Sequence, residues 1–377
     1  MKPKIHIVSF DVPYPADYGG VIDVYYRCKA LTDFGYEVVL HCFDYGRGRP
    51  KELLEVVSEV HYYKRKSTIL SLFSRQPMIV FSRKNKDLLN NLKKDDAPVI
   101  FEGQHCTAFI DHPDLKSRIK FIRCHNVESD YYHQLAEVEN SLFKKIFFQI
   151  EARKLGRQEE LFHFADGLFS VSEKDQKYFV NKYGNSEFLA VANPLSSGKY
   201  IPQKKKYILM HGNLSVMENE HAVRWVLEHV IHLVDHKLIV AGKNPNDEFL
   251  LLLKNHPQVE VHISPSNEIL TQLIAEAQVN LLITFQATGI KHKLINALSN
   301  GGHIIANTPM LEGTKMDEFC SIANTPEEIK TQIETCFSKA IDLESIEERR
   351  SYLSAHYGLM AHAQQINEAI AKKKKRD

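Results

Sequence analysis

Residues 283–302 read ITFQATGIKHKLINALSNGG, and this stretch decides how the second half of the chain is interpreted. The apolar run over 279–284 predicts a buried parallel strand, and a short polar turn with one glycine, Gly289, follows it. Apolar residues then recur at helical spacing from Leu294 to Leu298, and the two closing glycines end the predicted helix. A second apolar strand is predicted over 303–306. The stretch therefore predicts a strand, a glycine turn, a helix and a further parallel strand.

The start of this helix predicts a phosphate-binding site. The first turn of a helix presents unpaired backbone N–H groups and a partial positive charge. Lys291 and Lys293 add two ammonium groups to that turn. Helix N-termini of this kind bind phosphate groups. We therefore expect the diphosphate of a nucleotide to lie at this turn.

The composition of the 377 residues limits the class of protein. The length suits two domains of ordinary size, 44% of the residues are apolar, and the formal net charge is +1. This balance gives no indication of a nucleic-acid partner. No apolar run reaches the ~18 residues that span a bilayer, and the N-terminus lacks the apolar core of a signal peptide. We therefore expect a cytoplasmic protein.

Six cysteines are scattered along the chain without a CxxC pair. This spacing is typical of buried thiols in a reducing compartment, and it does not suit disulfides or zinc ligands. No DxD motif occurs either. The sequence therefore predicts no metal site and a reaction that does not depend on a metal.

Apolar runs alternate with segments of helical periodicity, as in a parallel sheet that is covered on both faces. Predicted strands cover 5–10, 37–43, 99–102, 120–124, 167–171, 207–211, 237–241, 259–263, 279–284 and 303–306. Predicted helices cover 20–34, 220–234, 267–277, 291–300 and 347–371. The pattern restarts after residue 206. We therefore predict an α/β fold with two doubly wound, Rossmann-like domains.

The restart divides the chain into three segments. Residues 1–195 form the predicted N-terminal domain and residues 196–350 the predicted C-terminal domain, with a linker marked by 193–198 and the basic run 203–206. Residues 351–377 are predicted to form a helix and a basic tail that pack back on the N-terminal domain. Doubly wound sheets bind ligands at the carboxyl ends of their strands, so we expect the site in a central cleft between the domains.

A glycine loop follows the first predicted strand and ends in Tyr18-Gly19-Gly20. Two glycines at the start of a helix let the backbone approach a ligand closely. The loop does not match GxGxxG, and no GxxxxGK[ST] occurs in the chain. A dinucleotide or P-loop site therefore loses support.

Polar residues also stand where other predicted strands end. In the first domain they are Glu102, His105, His125, Asn126 and Glu128. In the second domain they are Asn213, which Gly212 precedes, and Lys243. An amide and a carboxylate follow His125, so it is the candidate for chemistry, and Lys243 is placed to reach a phosphate.

Together these features resemble the two-domain retaining glycosyltransferases of the B fold, most closely glycosyltransferase family 4. The likeness covers nearly the whole chain, and its most specific part is Gly289-x-Lys291-x-Lys293-Leu294-x-x-Ala297-Leu298-x-x-Gly301. It also rests on Gly19-Gly20, His125-Asn126, Ser170-Val171-Ser172, Asn193-Pro194 and Gly212-Asn213-Leu214.

The resemblance implies an enzyme of cell-surface polysaccharide or glycoconjugate synthesis. It would move a sugar from a nucleotide-diphosphate sugar to a saccharide or lipid-linked acceptor with retention, and it would need no cofactor and no metal. His125 would lie near the transferred sugar and act in catalysis. The donor would contact Gly19, Gly20, Gly212, Asn213, Lys243, Thr288, Gly289, Ile290, Lys291, Lys293 and Asn296. The acceptor side would hold Tyr18, Glu102, His105, Asn126 and Glu128.

The chain departs from the family at two positions. The family usually carries two glutamates eight positions apart, where this chain has Thr288 and Asn296. Asn296 can hydrogen-bond a ribose, but it lacks the charge-assisted bonds of a carboxylate, which are roughly twice as strong. Two alternatives stay open: a non-catalytic nucleotide-sugar-binding subunit, which the missing glutamates favour, and a nucleotide-sugar epimerase. A dehydrogenase is least favoured because the glycine spacing is wrong.

Two basic stretches with interleaved apolar residues, 62–73 and 142–148, bear on the acceptor. Each suits contact with an anionic membrane, which would bring the chain to a lipid-linked acceptor at the inner face of the membrane. The alternative is an ordinary amphipathic helix that packs on the sheet with its lysine stems along the edge. For 142–148 the sequence favours this alternative.

Overall fold

The computed structural model of the chain describes residues 2–66, 71, 74–139, 141–195, 205–285 and 292–375. It forms two units, each built on one parallel sheet. Unit 1 consists of Met1–Pro194 and His356–Asp377, and unit 2 consists of Leu195–Ala355. The C-terminal segment thus belongs to the same unit as the N-terminal half.

In the part of unit 1 that the structure describes, the sheet has seven parallel strands. They are β1 (Lys4–Ser9), β2 (Glu37–Asp44), β3 (Glu59–Lys64), β4 (Val99–Glu102), β5 (Lys120–Cys124), β6 (Gly167–Ser170) and β7 (Ser186–Phe188). Their order is β3-β2-β1-β4-β5-β6-β7, and the direction of winding reverses between β1 and β4. The residues of β4, β5 and β6 are buried throughout, as expected of strands covered on both faces. Doubly wound sheets bind ligands where the order reverses.

Helices cover both faces of this sheet. They are α1 (Gly19–Phe34), α2 (Met78–Phe81), α3 (Lys86–Leu92), α4 (Glu128–Val138), α5 (Leu142–Glu159) and α6 (Glu173–Tyr183). Short 3-10 turns lie at Lys51–Glu55, Gln104–Cys106, Pro113–Leu115 and Glu160–Phe164. α1 ends at Gly35, whose φ of 111° suits glycine because other residues rarely adopt it.

Over residues 205–285 and 292–355, the sheet of unit 2 has six parallel strands. They are β8 (Lys205–Asn213), β9 (Lys237–Lys243), β10 (Val259–Ile263), β11 (Ala277–Leu282), β12 (His303–Ala306) and β13 (Ser321–Ile322). Their order is β10-β9-β8-β11-β12-β13, so the winding reverses between β8 and β11. The helices are α7 (Met217–His229), α8 (Asp247–Asn255), α9 (Asn267–Glu276), α10 (His292–Asn300), α11 (Thr308–Leu311), α12 (Pro326–Ser338) and α13 (Leu343–Tyr357).

The last helix, α14 (Leu359–Lys374), returns to unit 1. Its apolar face is buried in the same core as the inner face of α1; the shared residues include Val24, Cys28, Leu31, Ala363, Ile366 and Ile370. The backbone N–H of Asn193 donates to the carbonyl oxygen of Tyr357 over 3.1 Å, just before this helix. Among the helices that the structure describes, none has the length and apolar character needed to cross a bilayer.

The predicted fold class is confirmed, because both units are doubly wound parallel sheets. The strands predicted at 99–102, 120–124, 259–263 and 303–306 have the observed bounds, and the other predicted strands begin or end slightly elsewhere. The single helix predicted over 347–371 is wrong, because the chain breaks at Gly358, which is extended and caps α14.

The two basic stretches also differ from expectation. Residues 62–64 belong to β3, an edge strand in which Tyr63 is buried, so this part does not form a surface helix. Most of the rest of 62–73 lies outside the described residues. We expected the apolar residues of 142–148 to pack on the sheet, and this expectation is wrong for three of them. Leu142, Phe143 and Ile146 are 68%, 86% and 46% exposed on α5.

Candidate functional site

Four charged side chains are buried together where β4 and β5 end against α1. Asp23, Arg27, Glu102 and Arg123 are each at most 1% exposed. Nε of Arg27 donates to Oε1 of Glu102 over 2.8 Å, and Nε of Arg123 donates to Oδ2 of Asp23 over 2.9 Å. Arg27 also donates to the same Asp23 oxygen. The two positive and two negative charges balance, which limits the cost of burying ions.

The guanidinium groups fix the ionisation of Asp23. Burial alone would raise the pKa of this carboxyl group, but Arg123 and Arg27 hold it well below its ordinary value. The backbone N–H of Ala192 donates to its other oxygen over 3.2 Å. Asp23 is therefore a structural anion that ties α1 to the segment after β7.

His362 on α14 adds the C-terminal helix to this cluster. Its Nε2 lies 3.4 Å from a terminal nitrogen of Arg27, and its Nδ1 lies 2.9 Å from the carbonyl oxygen of Ala190. A guanidinium group only donates, so Nε2 accepts and Nδ1 carries the proton. Burial and the charge of Arg27 lower the pKa of His362 well below its ordinary value, in agreement with this neutral form.

His125 stands just beyond the end of β5 and is only partly covered, with 17% of its side chain exposed. Its Nε2 lies 3.3 Å from Oε2 of Glu102, whose other oxygen is bonded to Arg27. The ring of Phe10 packs edge-on against it, with centroids 5.7 Å apart. A buried carboxylate thus orients the imidazole, an arrangement that suits hydrogen bonding or proton transfer to a ligand.

Glu128 is a carboxyl group that titrates near neutrality. It is 5% exposed in the first turn of α4, and burial raises its pKa to about 7 although Arg83 acts in the opposite direction. The side chain of Asn126 also acts to lower the pKa of this carboxyl group. Buried carboxyl groups with such a pKa are candidates for general acid–base work.

His105 also belongs to this edge of the sheet. Its ring centroid lies 5.5 Å from that of Phe10, so both predicted histidines contact the same aromatic ring. Burial, with the charges of Arg83 and His125, lowers the pKa of His105 well below its ordinary value. Its buried Nδ1 has no hydrogen-bond partner among the described residues. Glu102, by contrast, is wholly buried, and its Oε2 contacts His125.

The glycine loop opens α1. Tyr18 is 41% exposed, and its hydroxyl donates to Oδ2 of Asp11 over 3.0 Å. Among the described residues no side chain caps this helix, and its first turn has no acidic residue, so the N–H groups from Gly19 onward suit an anion. A Cβ on Gly20 would lie 2.7 Å from Cζ of Phe10. Gly20 is therefore needed for packing as well as for any close approach of a ligand.

In unit 2 a small cavity of about 10 Å³ lies where β8 and β11 end. His211, Asn219 and Lys293 are among its lining residues. His211 is 8% exposed, and its Nε2 has no hydrogen-bond partner among the described residues. Burial and the charge of Lys293 lower the pKa of His211 to about 3, so the imidazole is neutral at pH 7. The cavity has room for one water at most, so a larger ligand would lie outside it.

Lys293 belongs to the first turn of α10, and its Nζ donates to Oδ1 of Asn219 over 2.9 Å. Gly212 and Gly242 lie so close that a Cβ on Gly242 would come within 2.0 Å of the Gly212 carbonyl oxygen. Asn213 holds the following turn, since its Oδ1 accepts from the N–H of Ser215 over 3.1 Å. Together these contacts fix the end of β8 beside α10.

The other predicted donor residues either do not line this cavity or lie outside the described residues. Lys243 is exposed and does not line the cavity. Asn296 is half-buried on α10, and its carbonyl oxygen accepts from Nδ2 of Asn300 over 3.1 Å. Thr288, Gly289, Ile290 and Lys291 lie outside the described residues.

Among the described residues, one group of side chains on unit 1 could offer ligands to a metal ion. Asp23, Glu102 and His125 each offer a ligand atom within 4.8 Å of the others. A cation there would compete with Arg27 and Arg123 for carboxylate oxygens, and it would add charge to a buried cluster whose charges already balance. This donor set does not suit a metal ion.

Sequence reasoning missed Asp23, Arg27, Asn219 and His362. The first two stand four positions apart in α1, the spacing of a helical ion pair, and that signal is available in the sequence. Such a pair usually lies on an exposed helix face, so the spacing alone does not indicate a site. Asn219 and His362 carry no local pattern that distinguishes them.

A comparison with models of known protein families finds no match to the chain. An uncharacterized 44.6 kDa protein in the cps region of Klebsiella pneumoniae is 28% identical to it over 330 residues. The match covers 82% of this chain and 84% of that protein.

Solved structures resemble the chain over nearly its whole length. Sucrose-phosphate synthase from Thermosynechococcus elongatus has a TM-score of 0.72 at 12% identity and covers 100% of both chains. Anabaena Alr3699/HepE in complex with UDP-glucose has a TM-score of 0.68 at 13% identity, over 98% of this chain and 99% of that one. The lipopolysaccharide outer core galactosyltransferase WaaB, in its apo form, has a TM-score of 0.65 at 14% identity, over 98% and 99%. The chain therefore has the two-domain fold of the GT-B glycosyltransferases.

Proposed function

We propose that the chain is a retaining glycosyltransferase, similar to family 4, that moves a sugar from a nucleotide-diphosphate sugar to a saccharide or lipid-linked acceptor. The observation that carries the proposal is the neutral, buried His211, whose Nε2 lacks a partner among the described residues, beside Lys293 where the strand order of unit 2 reverses. Fold likeness to a protein solved with UDP-glucose supports it. Fold likeness to a lipopolysaccharide galactosyltransferase also supports it, and this likeness favours a role in cell-surface polysaccharide synthesis.

The diphosphate would lie against the start of α10. Cleavage of the sugar–phosphate bond leaves negative charge on the diphosphate, which positive groups and N–H donors stabilise. Lys293 brings an ammonium group to this turn. The neutral His211 would reach the diphosphate through a water in the small cavity, and it adds no charge. These groups stabilise the leaving group without a metal, and the leaving phosphate would then accept the proton of the acceptor hydroxyl.

On unit 1, His125 would contact the transferred sugar and Glu128 the acceptor. Glu102 holds the imidazole of His125 in place, so its position does not depend on the ligand. Glu128 changes its protonation state near pH 7 and is suited to bind or polarise an acceptor hydroxyl. Both groups follow β5, at the edge where a doubly wound sheet binds ligands.

The outer face of α5 would contact an anionic membrane and so meet a lipid-linked acceptor. Leu142, Phe143 and Ile146 are exposed, and Lys144 and Lys145 stand between them without an acidic residue in the first turn. Apolar side chains enter the headgroup region, and each lysine near an anionic surface adds about 1 kcal/mol. The test is sedimentation with vesicles that contain phosphatidylserine. Absence of co-sedimentation would remove the membrane contact but not the transferase.

Thermal stability against UDP, GDP, ADP, CMP and NAD tests the donor site. A ligand at a hundred times its dissociation constant stabilises the fold by roughly 2.7 kcal/mol, so we expect one nucleoside diphosphate to raise the midpoint. No shift with any of them would contradict the proposal. Turnover then separates the alternatives: binding without transfer to any acceptor indicates a non-catalytic subunit, and conversion of the donor sugar without an acceptor indicates an epimerase.

A further inference from the structure

Unit 1 contains a cavity of about 550 Å³ whose lining residues are distinct from those of the site described above. It lies between α3 and the segment that follows the 3-10 turn after β4. Leu89 from α3, with Ala108 and Phe109 from that segment, gives it an apolar wall. Its volume is within the range of sites for small molecules.

Three ammonium groups line the same cavity, those of Lys66, Lys84 and Lys86. Among the described residues, none of the three lies within 4.0 Å of a carboxylate oxygen. Lys93, which follows α3, differs, because its Nζ lies 2.5 Å from a carboxylate oxygen of Asp114. Lys66 lies over the ring of Phe81, with Nζ 5.2 Å from the centroid. Within the described part of the chain, no acidic side chain therefore holds these lysines.

The charge of the lining favours an anion. Asp111 is the carboxylate among the lining residues, so three positive charges face one negative charge. Like charges around one cavity repel each other, and an anion that enters relieves the repulsion. Lysine binds phosphate as a point charge, and several lysines suit a group with two or more negative charges.

We propose that this cavity binds the phosphate end of a phosphorylated saccharide. The lysines would hold the phosphate or diphosphate, the apolar wall would contact the C–H face of the sugar ring, and Asp111 and Asn90 would bond to its hydroxyl groups. Assignment of this ligand as the acceptor of sugar transfer rests on the proposed function. The binding itself does not depend on it.

Titration calorimetry of the full chain with glucose 1-phosphate and with glucose tests the proposal. We expect glucose 1-phosphate to bind at least tenfold more tightly than glucose, and the affinity to fall with added salt. The variant with Lys84→Ala and Lys86→Ala should lose at least tenfold. The matched control is Lys51→Ala with Lys177→Ala, which removes the same charge from exposed lysines of the same unit. This control should bind as the wild type does.

Equal affinity for glucose and glucose 1-phosphate would overturn the proposal, and so would an equal loss in the control variant. A second arm uses phosphatidylcholine vesicles that carry farnesyl diphosphate. If the protein is retained on these vesicles and the retention depends on Lys84 and Lys86, the ligand is a lipid-linked phosphate ester. If the protein binds glucose 1-phosphate but not these vesicles, the ligand is a soluble phosphate ester. The thermal shift with UDP is measured in each variant. Lysine-dependent binding without any nucleotide shift would reject the proposed function and leave this site standing.

Discussion

Replacing Asp23 with asparagine removes the charge that two buried guanidinium groups share. Oδ2 of Asp23 accepts from both Arg27 and Arg123, and Oδ1 accepts from the N–H of Ala192. In the variant, Glu102 alone would balance two buried positive charges. Removing one partner of a buried ion pair costs about 3–5 kcal/mol. We expect a loss of stability of that size in unit 1.

Asp33→Asn is the matched control, because it makes the same chemical change in the same helix. Asp33 also pairs with a residue four positions away, Lys29, but this pair is 44% and 46% exposed. Exposed pairs contribute about 0.2–1 kcal/mol. The difference between the two variants therefore measures the effect of burial.

Urea unfolding followed by far-UV circular dichroism measures the loss. Trp225, the single tryptophan, lies in unit 2, so its fluorescence gives a reference for that unit. We also expect a pH effect. Since the pKa of Asp23 is lowered in the folded state, its stabilisation is present above the ordinary value of 3.8 and is lost as the pH falls below it. The variant should lack this contribution. Equal urea midpoints for Asp23→Asn and Asp33→Asn would refute the reasoning.

Further predictions concern ligand binding and turnover. His125→Ala should lower turnover with nucleotide affinity largely intact, and unchanged turnover would remove it from the reaction. Lys293→Ala should weaken binding of the nucleoside diphosphate about tenfold or more with little effect on the nucleoside, because charged hydrogen bonds contribute about 1.5–3 kcal/mol; an equal effect on both ligands would contradict its place at the phosphate. If ionised Glu128 is needed, kcat/KM should rise as the pH passes about 7, and Glu128→Gln should abolish that rise. Phe143→Ser with Ile146→Ser should reduce sedimentation with anionic vesicles, and full retention would show that α5 is not the contact.

The central strands and the edge strand β10 could be predicted from the sequence, whereas the edge strands β3, β7 and β13 could not. β4 and β5 are short apolar runs because both faces of a central parallel strand are buried. β3 reads Glu-Val-His-Tyr-Tyr-Lys, and most of its residues are partly exposed, so it resembles a surface segment. β13 has only two residues and leaves no periodic signal.

The candidate site was predictable only where position along a strand is informative. His125 and Glu102 were found because both stand at strand ends. Their supporting partners were not, since Arg27 and His362 are 335 positions apart and meet only in the folded unit. No local pattern encodes such a pair. The neutral state of His211 likewise depends on burial by several elements, which a single sequence does not show.

The return of α14 to unit 1 has a consequence for the order in which the chain matures on the ribosome. Synthesis proceeds from the N-terminus, so residues 1–194 emerge first and unit 2 is complete before Leu359 is translated. Unit 2 has all its strands by then, while the core around Val24 and the hydrogen bond to Arg27 still lack their partners from α14. The first unit to be made is thus the last to be finished, and a nascent chain released before α14 would expose the apolar residues of α1 that α14 otherwise covers.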